Sequence, residues 1–380
     1  MSIHALGAPG VHVGPIHVDG VRNLRDVTLR PHPRLTVLVG ANGQGKTNLL
    51  EAIHLAAALR PLRTLERASE LVGFGKEQGL IHARFDIDGP LDVVINVEPR
   101  GRKATIGGKA VRDVAILSER LSVVSFVPDD ASMIRGAPGD RRRGLDRFAF
   151  ALFPQFAAAS RRFEEALEQR NRLLKDVVVD DDALDAFTPP FISAAADLTR
   201  LRAEACARWA PVFAAEAHVL GGDALAATLH YHAGLVDDDV DVINRSAADL
   251  AAHLEDRLRR SRDIEKRKRQ TLCGPQHDDV VFMKLGKKAR FLASQGEARG
   301  LVLALKLASV RLLTQQRGQG PLLLLDDVAG ELDKVRAARL LDSIDEHGAQ
   351  TFVTTTDTQT LPPLGESLVI AVVGGRTSTQ

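Results

Sequence analysis

The stretch LTVLVGANGQGKTNLLEAIHL, residues 35–55, decides the fold. It opens with an apolar run over 35–39 that reads as a strand, passes through a glycine-rich turn, and enters a helical pattern from Thr47 to Leu59 that Pro61 stops. The turn fits G-x-x-x-x-G-K-[ST], and a strand before it with a helix after it is the context of a phosphate-binding loop. A plain glycine-rich turn is the weaker interpretation in that context. The sequence therefore predicts an α/β protein that binds a nucleotide.

The residue types in this loop suit a triphosphate and its magnesium ion. Glycines let the backbone approach phosphates, and successive N–H groups at a helix N-terminus attract anions. We expect Lys46 to reach the β- and γ-phosphates and the Thr47 hydroxyl to ligate Mg²⁺. The predicted nucleotide-binding residues of the loop are Gly40, Ala41, Asn42, Gly43, Gln44, Gly45, Lys46, Thr47 and Asn48.

A second motif places two acids after an apolar run. Leu322–Leu325 reads as a buried strand, and Asp326 and Asp327 follow it. In α/β folds ligands bind at the carboxyl edge of the sheet, so Asp326 is expected to hold Mg²⁺ and Asp327 to polarise an attacking water. Acids after a strand are also common in turns, and the phosphate loop upstream is what favours function. The candidate catalytic residues are Lys46, Asp326 and Asp327, and the candidate metal ligands are Thr47 and Asp326.

A serine-glycine motif precedes a third apolar stretch. Ser294, Gln295, Gly296 and Glu297 stand at the start of a predicted helix over 301–313. Serine with a glutamate three residues later forms a capping box on local physics alone. The same helix N-terminus would also suit a γ-phosphate, so both interpretations stay open at this level.

Composition limits the class of protein. The 380 residues exceed one minimal domain, and 44% hydrophobic with 26% charged residues is usual for a globular protein. A net charge of +1 argues against coating nucleic acid or membrane by bulk charge, and 4% aromatic residues argue against base stacking as the main binding mode. Two cysteines cannot form a disulfide scaffold. With no signal peptide and no membrane-spanning apolar stretch, we expect a cytoplasmic protein without membrane contact.

The chain changes character along its length. Short strands are predicted at 16–18, 27–29, 80–87, 91–97, 123–127 and 351–355. From about residue 140 to 270 the sequence is rich in Ala, Leu, Arg and Glu with helical spacing, and Pro189-Pro190 and Pro211 are predicted to break it. The predicted segments are an N-terminal ATPase part at 12–130, a helical second lobe at 131–270 and a C-terminal ATPase part at 271–380.

Taken together, the motifs resemble the RecF family of DNA replication and repair proteins, within the ABC/SMC-like ATPases. The loop and the strand-end acids alone indicate an ABC-type ATPase, and the segments between them narrow the resemblance. The segments that carry it, besides residues 35–55, are SFVPDDASMIRGAPGDRRRGLD at 125–146, ALEQRNRLLKD at 166–176, GPQHDDVVF at 274–282, ASQGEARGLVLALKLA at 293–308 and LLLLDDVAGELD at 322–333.

The resemblance implies an ABC-type P-loop ATPase head with an inserted, mainly helical second lobe. In that family ATP lies between the phosphate loop of one subunit and the signature of another, so Ser294, Gln295 and Gly296 would face the γ-phosphate in trans. Residues 331–333 would couple the two sites, and residues 128–130 would link the nucleotide site to the second lobe. The resemblance places Asp327 where many ABC ATPases have Glu, which implies slow hydrolysis acting as a conformational switch.

The function implied is an ATP-dependent DNA-binding protein of replication and recombinational repair. ATP and Mg²⁺ would drive a homodimer together on DNA at single-strand gaps, and RecO and RecR would join it in loading RecA. The alternative is an ATPase subunit of a nuclease or chromosome-tethering complex, which would need long coiled-coil heptads that this sequence lacks. A P-loop metabolic kinase would lack both the 294–296 signature and the 331–333 loop.

Four positions depart from the family pattern. The family's G-P-H-R-D-D reads GPQHDD at 274–279, which loses an arginine. Leu24 stands where an aromatic often follows the first strand, and Gly144 interrupts an apolar position. Residues 186–189 replace an aromatic, acidic segment. These differences concern details of the second lobe and its partner surface.

Two basic clusters are candidate DNA contacts. Phosphate binding needs such clusters, although a solvated helix face with internal ion pairs has the same composition. With so few aromatics, we expect contact with the backbone rather than with base edges. The candidate residues are Arg141, Arg142, Arg143, Lys266, Arg267, Lys268 and Arg269.

Overall fold

A computed structural model describes residues 11–63, 67–87, 89–111, 117, 120–235, 242–327, 334–361 and 363–379. The chain forms two compact units. The first contains 1–130, 216–225 and 295–380, and the second contains 131–215 and 226–294. Residues 271–294 thus group with the second unit rather than with the C-terminal segment, because the strand over 279–284 pairs with the strand over 227–232.

The bounds of the elements are as follows. The described strands are β1 His12–Asp19, β2 Val27–Leu29, β3 Leu35–Val39, β4 Gly79–Asp86, β5 Pro90–Glu98, β6 Gly101–Ile106, β7 Lys109–Ala110, β8 Val123–Phe126, β9 Ala227–His232, β10 Asp279–Lys284, β11 Lys287–Lys288, β12 Leu322–Leu325, β13 Thr351–Thr355, β14 Leu368–Val373 and β15 Arg376–Thr379. The described helices are α1 Lys46–Ala58, α2 Ser132–Arg135, α3 Pro138–Leu152, α4 Phe156–Lys175, α5 Asp181–Gly221, α6 Ala247–Lys268, α7 Ala289–Leu292, α8 Gln295–Arg317 and α9 Lys334–His347.

The first unit is built on a mostly parallel sheet in the order β15-β14-β3-β13-β12-β8. Only β15 runs antiparallel to its neighbour, and β13 lies between β3 and β12. Strands β12 and β13 are buried along their whole length, and Leu35 to Leu38 of β3 are buried with them. The carboxyl ends of β3, β13 and β12 therefore meet at one edge. This edge carries both motifs predicted from the sequence.

An antiparallel sheet in the order β2-β1-β4-β5-β6-β7 completes this unit. Its inner residues, including Ile16, Ile81 and Ile95, join α1 in one hydrophobic cluster. Gln350 links this sheet to the parallel sheet. Its side-chain oxygen accepts the N–H of Val13 at 2.6 Å, and its amide nitrogen donates to the carbonyls of Val13 and His32 at 3.1 and 3.0 Å.

The second unit contains α2 to α4, most of α5, α6, α7 and the sheet β11-β10-β9. Aromatic pairs fill its interior. Phe148 stacks on Trp209 with ring centroids 4.4 Å apart, and Phe213 meets Phe282 edge-on at 5.6 Å. Such pairs add about 0.5–1.5 kcal/mol beyond their buried area.

A buried ion network also holds the second unit together. The Asp278 carboxylate is 0% exposed and accepts hydrogen bonds from Arg202 at 2.8 Å, Tyr231 at 2.5 Å and the Gly234 N–H at 2.8 Å. Arg202 also pairs with Asp146 at 2.8 Å. The GPQHDD segment thus has a structural role here, since its first acid joins α3, α5 and β9.

The predicted helix breaks in the second unit are wrong. Helix α5 runs without interruption through Pro189, Pro190 and Pro211. All three prolines are exposed, and the carbonyls that lose a helical partner, those of residues 185, 186 and 207, belong to exposed or half-buried residues. Water can satisfy those groups, which lowers the cost of proline inside a helix. The helix begins at Asp181.

No helix among the described residues is both long enough and apolar enough to span a membrane.

Candidate nucleotide-binding site

The phosphate loop has a shape that its glycines make possible. Gly43 and Gly45 have φ of 79° and 111°, which L-residues with a side chain rarely adopt. Gly40 lies against β14, where an added Cβ would stand 2.3 Å from the Val372 carbonyl oxygen. Backbone conformation therefore requires glycine at positions 43 and 45, and close packing against β14 requires it at position 40.

Lys46 lies folded into the loop. Its side chain is among the buried ones, at 7% exposed, and its Nζ donates to the carbonyls of Gly40 at 2.7 Å and Ala41 at 3.0 Å. Burial lowers the pKa of Lys46, while Asp327 and Asp326 act in the opposite direction. The ammonium therefore stands inside the loop, with two carboxylates close enough to affect its charge.

The carboxylate of the second motif meets the hydroxyl of the first. The Thr47 hydroxyl donates to the Asp326 carboxylate, and its Oγ1 lies 2.8 Å from Oδ1 and 3.0 Å from Oδ2. Thr354 Oγ1 donates to the same carboxylate at 2.8 Å. Asp326 is 2% exposed. Residues from α1, β13 and the end of β12 thus converge, as the shared sheet edge requires.

Asp327 lies beside this pair in a left-handed backbone conformation with φ of 53°. Its N–H donates to Thr354 Oγ1 at 2.9 Å. Thr354 therefore fixes both acids at once, through the side chain of one and the backbone of the other.

Sequence reasoning missed three residues of this site. Arg63 Nη2 lies 3.4 Å from Asp326 Oδ2, and Arg63 is partly exposed. Asn23 donates to the Gly43 carbonyl at 3.3 Å and accepts from Asn48 at 2.8 Å, so it holds the loop from outside. The third is Thr354, and its position at the end of a strand in a predicted parallel sheet was a signal that could have found it. Arg63 had no local pattern of its own.

The last hairpin of the chain also fixes the loop. The Gly374 N–H donates to Gln44 Oε1 at 2.7 Å, and the Gly375 N–H donates to the Gln44 carbonyl at 2.9 Å. An added Cβ at Gly375 would lie 1.9 Å from the Asn23 carbonyl oxygen, so this turn requires glycine.

A cavity of about 870 Å³ opens beside the loop. Its lining includes Asn23, Asn48, Leu24, Phe74 and Arg376. Phe74 is fully exposed, and Leu24 is buried in the core. The cavity has room for the nucleoside part of a nucleotide whose phosphates lie in the loop.

The residues present fit a magnesium ion bound with a nucleotide. Mg²⁺ prefers oxygen ligands and is usually held by one or two carboxylates together with substrate phosphates. The Thr47 hydroxyl and the Asp326 carboxylate offer that oxygen set. In the part of the chain that the structure describes, no group of three or more His, Cys, Asp or Glu side chains is placed so that it could hold a metal ion by itself.

The signature residues stand at the start of a long helix. Ser294, Gln295 and Gly296 are all exposed, and α8 extends 23 residues from Gln295. An added Cβ at Gly296 would meet nothing within 4 Å. Residues 331–333 lie outside the described residues. Asp130 of the 128–130 segment is 3% exposed and pairs with Lys306 of α8 at 3.0 Å.

The first basic cluster is mostly occupied by internal contacts. Arg141 is 3% exposed. Its Nε and Nη2 donate to the two carboxylate oxygens of Asp279 at 2.6 and 2.8 Å. Arg142 donates to the Asp278 carbonyl at 2.6 Å, and Arg143 pairs with Asp140. The contact of Arg141 with DNA stays a prediction, and it would require Arg141 to leave this ion pair.

The second basic cluster is only partly neutralised. Lys266 pairs with Asp181 at 2.5 Å. Arg267, Lys268 and Arg269 are exposed at the C-terminal end of α6 and form no ion pair with any described residue. Three cations of this cluster thus remain available to a partner.

The fold and the site together define a class. A phosphate-binding loop after β3 and a buried carboxylate after β12, with one strand between them, make this an ABC/SMC-type P-loop ATPase head. The family model described as RecF/RecN/SMC N terminal domain matches residues 12–378. The chain belongs to the RecF family of DNA replication and repair proteins, as the sequence resemblance predicted.

Two relatives support the family, and two solved structures support the fold. The chain is 42% identical over 353 residues to the DNA replication and repair protein RecF of Anaeromyxobacter sp. (strain K), covering 92% of this chain and 93% of that one. It is 39% identical to RecF of Myxococcus xanthus (strain DK1622), covering 90% of each. A solved structure of the recombination mediator protein RecF-ATP in the RecFOR pathway has a TM-score of 0.87 at 24% identity, covering 99% of this chain and 100% of that one. The Smc head domain from Pyrococcus furiosus bound to the C-terminal domain of ScpA has a TM-score of 0.55 at 15% identity, covering 97% and 96%. The predicted ATPase-head fold is confirmed.

Proposed function

We propose that this chain is an ATP-gated DNA-binding protein whose heads join in pairs when ATP binds. The observation that carries the proposal is the meeting of Lys46, Thr47 and Asp326 at one sheet edge. A loop that cradles phosphates next to a hydroxyl and a carboxylate supports a magnesium–triphosphate ligand. The solved structure of a RecF with ATP agrees with this choice of ligand for the family.

Each residue of the site has a role in this proposal. Lys46 leaves the Gly40 and Ala41 carbonyls and contacts the β- and γ-phosphates. Thr47 and Asp326 hold Mg²⁺, which neutralises charge on the phosphates when bound. Arg63 supplies a further positive charge, since its guanidinium already lies 3.4 Å from the carboxylate that the ion would approach.

Hydrolysis is proposed to be slow and to act as a switch. Asp327 orients the attacking water, but an aspartate is one methylene shorter than the glutamate found in many ABC ATPases. Thr354 fixes the backbone of Asp327 through a hydrogen bond to its N–H, so the Asp327 side chain has little freedom to reach further. A long-lived ATP state suits a protein whose work is to remain closed on DNA.

Dimerisation is proposed to complete the site in trans. The exposed Ser294, Gln295 and Gly296 of one subunit face the γ-phosphate bound to its partner, and the α8 N-terminus favours that negative charge. The two nucleotides then lie between the heads. ATP binds the closed pair more tightly than the separate subunits, so ATP raises the population of closed pairs. Because the closed pair is the state proposed to hold DNA, DNA affinity depends on the bound nucleotide.

Replacing Ser294 by arginine tests this arrangement. We expect the variant to bind ATP as a monomer with unchanged affinity and to lose ATP-dependent dimerisation, because a bulky cation would occupy the interface. Sedimentation velocity with and without ATP, together with titration of a fluorescent ATP analogue, measures both properties. Ser246→Arg, which places the same charge at the exposed start of α6, should dimerise normally. Loss of ATP binding by the Ser294→Arg monomer would contradict the trans assignment.

The biological role proposed follows the family. The dimer acts at single-strand gaps in DNA, with RecO and RecR as partners and loading of RecA as the outcome. The exposed Arg267, Lys268 and Arg269 are proposed to contact phosphates there. Lys266, the remaining cation of this cluster, is paired with Asp181, so the contact involves three charges per subunit.

A further inference from the structure

A small hairpin in the second unit has an unusual turn. Strands β10 and β11 pair with Lys284 opposite Lys287, and Leu285 and Gly286 form the two-residue turn between them. Both turn residues have positive φ, 50° and 72°, as in a type I′ turn, where Asn and Gly are preferred. A leucine in this conformation is strained, and its side chain is 74% exposed. Packing gives no reason for a leucine at this position.

The same segment carries unneutralised positive charge. Residues 285–293 contain two lysines and one arginine and no Asp or Glu. Lys287, Lys288 and Arg290 are exposed, and none of them forms an ion pair within the described parts of the chain. This sets them apart from Arg141 and Lys266, whose charges are paired.

Exposed apolar groups lie next to these cations. Phe291 is 77% exposed, and the Arg290 guanidinium lies 4.4 Å from its ring centroid. The basic hairpin, defined as Leu285, Lys287, Lys288, Arg290 and Phe291, therefore presents cations beside one aliphatic and one aromatic side chain. A partner that matches it must offer both anions and flat apolar surface.

We infer that the basic hairpin is a DNA-contact surface. Lys287, Lys288 and Arg290 bind backbone phosphates, and Leu285 and Phe291 rest against exposed base faces. Proteins use leucine and phenylalanine as wedges against base steps, and aromatic rings as platforms for unpaired bases. Base faces are open where a duplex ends or borders a single strand, so the surface favours such junctions over continuous duplex. This inference rests on the proposed DNA-binding function and locates part of it.

The charge contribution is tested by salt dependence. Each phosphate contact adds about 0.9 to the negative slope of log affinity against log salt concentration. For the ATP-bound protein with a gapped duplex, Lys287→Ala/Lys288→Ala/Arg290→Ala should make the slope less steep by about 2 to 3. The matched control is Arg100→Ala/Lys109→Ala, which removes two exposed, unpaired cations from the β5–β6–β7 region of the first unit and should keep the wild-type slope.

The apolar contribution is tested separately. The double variant Leu285→Asn/Phe291→Ala removes both apolar groups. Asparagine tolerates the positive φ at position 285, so the turn is kept. We expect the preference for gapped over continuous duplex to fall roughly fivefold or more while the salt slope stays unchanged. ATP-analogue binding by each variant confirms that the nucleotide site is intact.

The outcomes separate this inference from the proposed function. If wild-type protein binds DNA in an ATP-dependent way and the triple variant keeps the wild-type salt slope, the inference is overturned and the proposed function stands. That result is also expected if the hairpin instead docks an acidic protein surface. If wild-type protein shows no ATP-dependent DNA binding, the proposed function fails and the inference fails with it.

Discussion

Replacing Lys46 by alanine is expected to abolish ATP-dependent dimerisation. The side chain donates two hydrogen bonds inside the phosphate loop, and the proposal gives those donors to the β- and γ-phosphates when ATP binds. Hydrogen bonds to a charged group contribute roughly 1.5–3 kcal/mol each, so ATP affinity should fall by about 100-fold or more. Sedimentation velocity should show only monomer at ATP concentrations that saturate the wild-type protein.

The matched control for this experiment is Lys103→Ala. Lys103 forms an exposed ion pair with Glu98 far along the chain from the loop, so both ATP binding and dimerisation should stay as in the wild type. A Lys46→Ala protein that still forms the wild-type amount of dimer with ATP would contradict the role of ATP as the ligand that joins the heads.

Replacing Asp278 by alanine is expected to lower the free energy of unfolding by about 3–5 kcal/mol. The carboxylate is fully buried and accepts three hydrogen bonds. Its removal leaves Arg202 with Asp146 as its remaining carboxylate partner in a buried site, and leaves the Tyr231 hydroxyl without its acceptor. Equilibrium denaturation in urea measures the change.

Two further variants make the stability experiment specific. Asp278→Asn keeps the volume and part of the hydrogen bonding, so it should fold and lose less stability than the alanine variant. Glu168→Ala removes an exposed ion pair with Arg172 in the same unit and should change stability by less than about 1 kcal/mol. Equal effects of Asp278→Ala and Glu168→Ala would show that the buried network contributes little.

The parts of the site that local sequence encodes were predictable. The loop at residues 40–47 carries its own conformational requirements, because Gly43 and Gly45 occupy backbone regions that few other residues adopt. The strand over 322–325 is apolar along its length, as a strand buried on both faces must be. Because parallel strands of one sheet end at the same edge, the helix after β3 and the acid after β12 meet there, and the Thr47 hydroxyl lies 2.8 Å from the Asp326 carboxylate.

Other features depend on contacts between distant parts of the chain. Arg141 looks like a member of an exposed basic cluster, yet its partner Asp279 lies 138 residues away and buries it. Arg63 reaches Asp326 across 263 residues with no motif around it. The sequence predicts helix breaks at the prolines of α5, because it does not show that all three prolines face solvent. For Arg141 and the prolines of α5, tertiary packing overrides a local rule, and for Arg63 the contact depends on tertiary packing alone.

The near-neutral charge of the chain has a different meaning once the pairs are known. Many basic residues are paired with acids in contact with them, as Arg259, Arg260 and Arg262 of α6 are. Exposed cations that form no ion pair with a described residue include residues 267–269 and the cations of the basic hairpin. Two subunits acting together bring twice as many of these cations to one DNA molecule, which raises the affinity for its phosphates. This is the physical reason to expect control by dimerisation.

The central claim is that ATP controls DNA binding, and one titration tests it most directly. The affinity of the wild-type protein for a gapped duplex is measured by fluorescence anisotropy at fixed salt, with ATP and without nucleotide. Coupling between sites is typically 5- to 150-fold, and we expect ATP to tighten binding by about tenfold or more. The same affinity in both conditions would contradict the account.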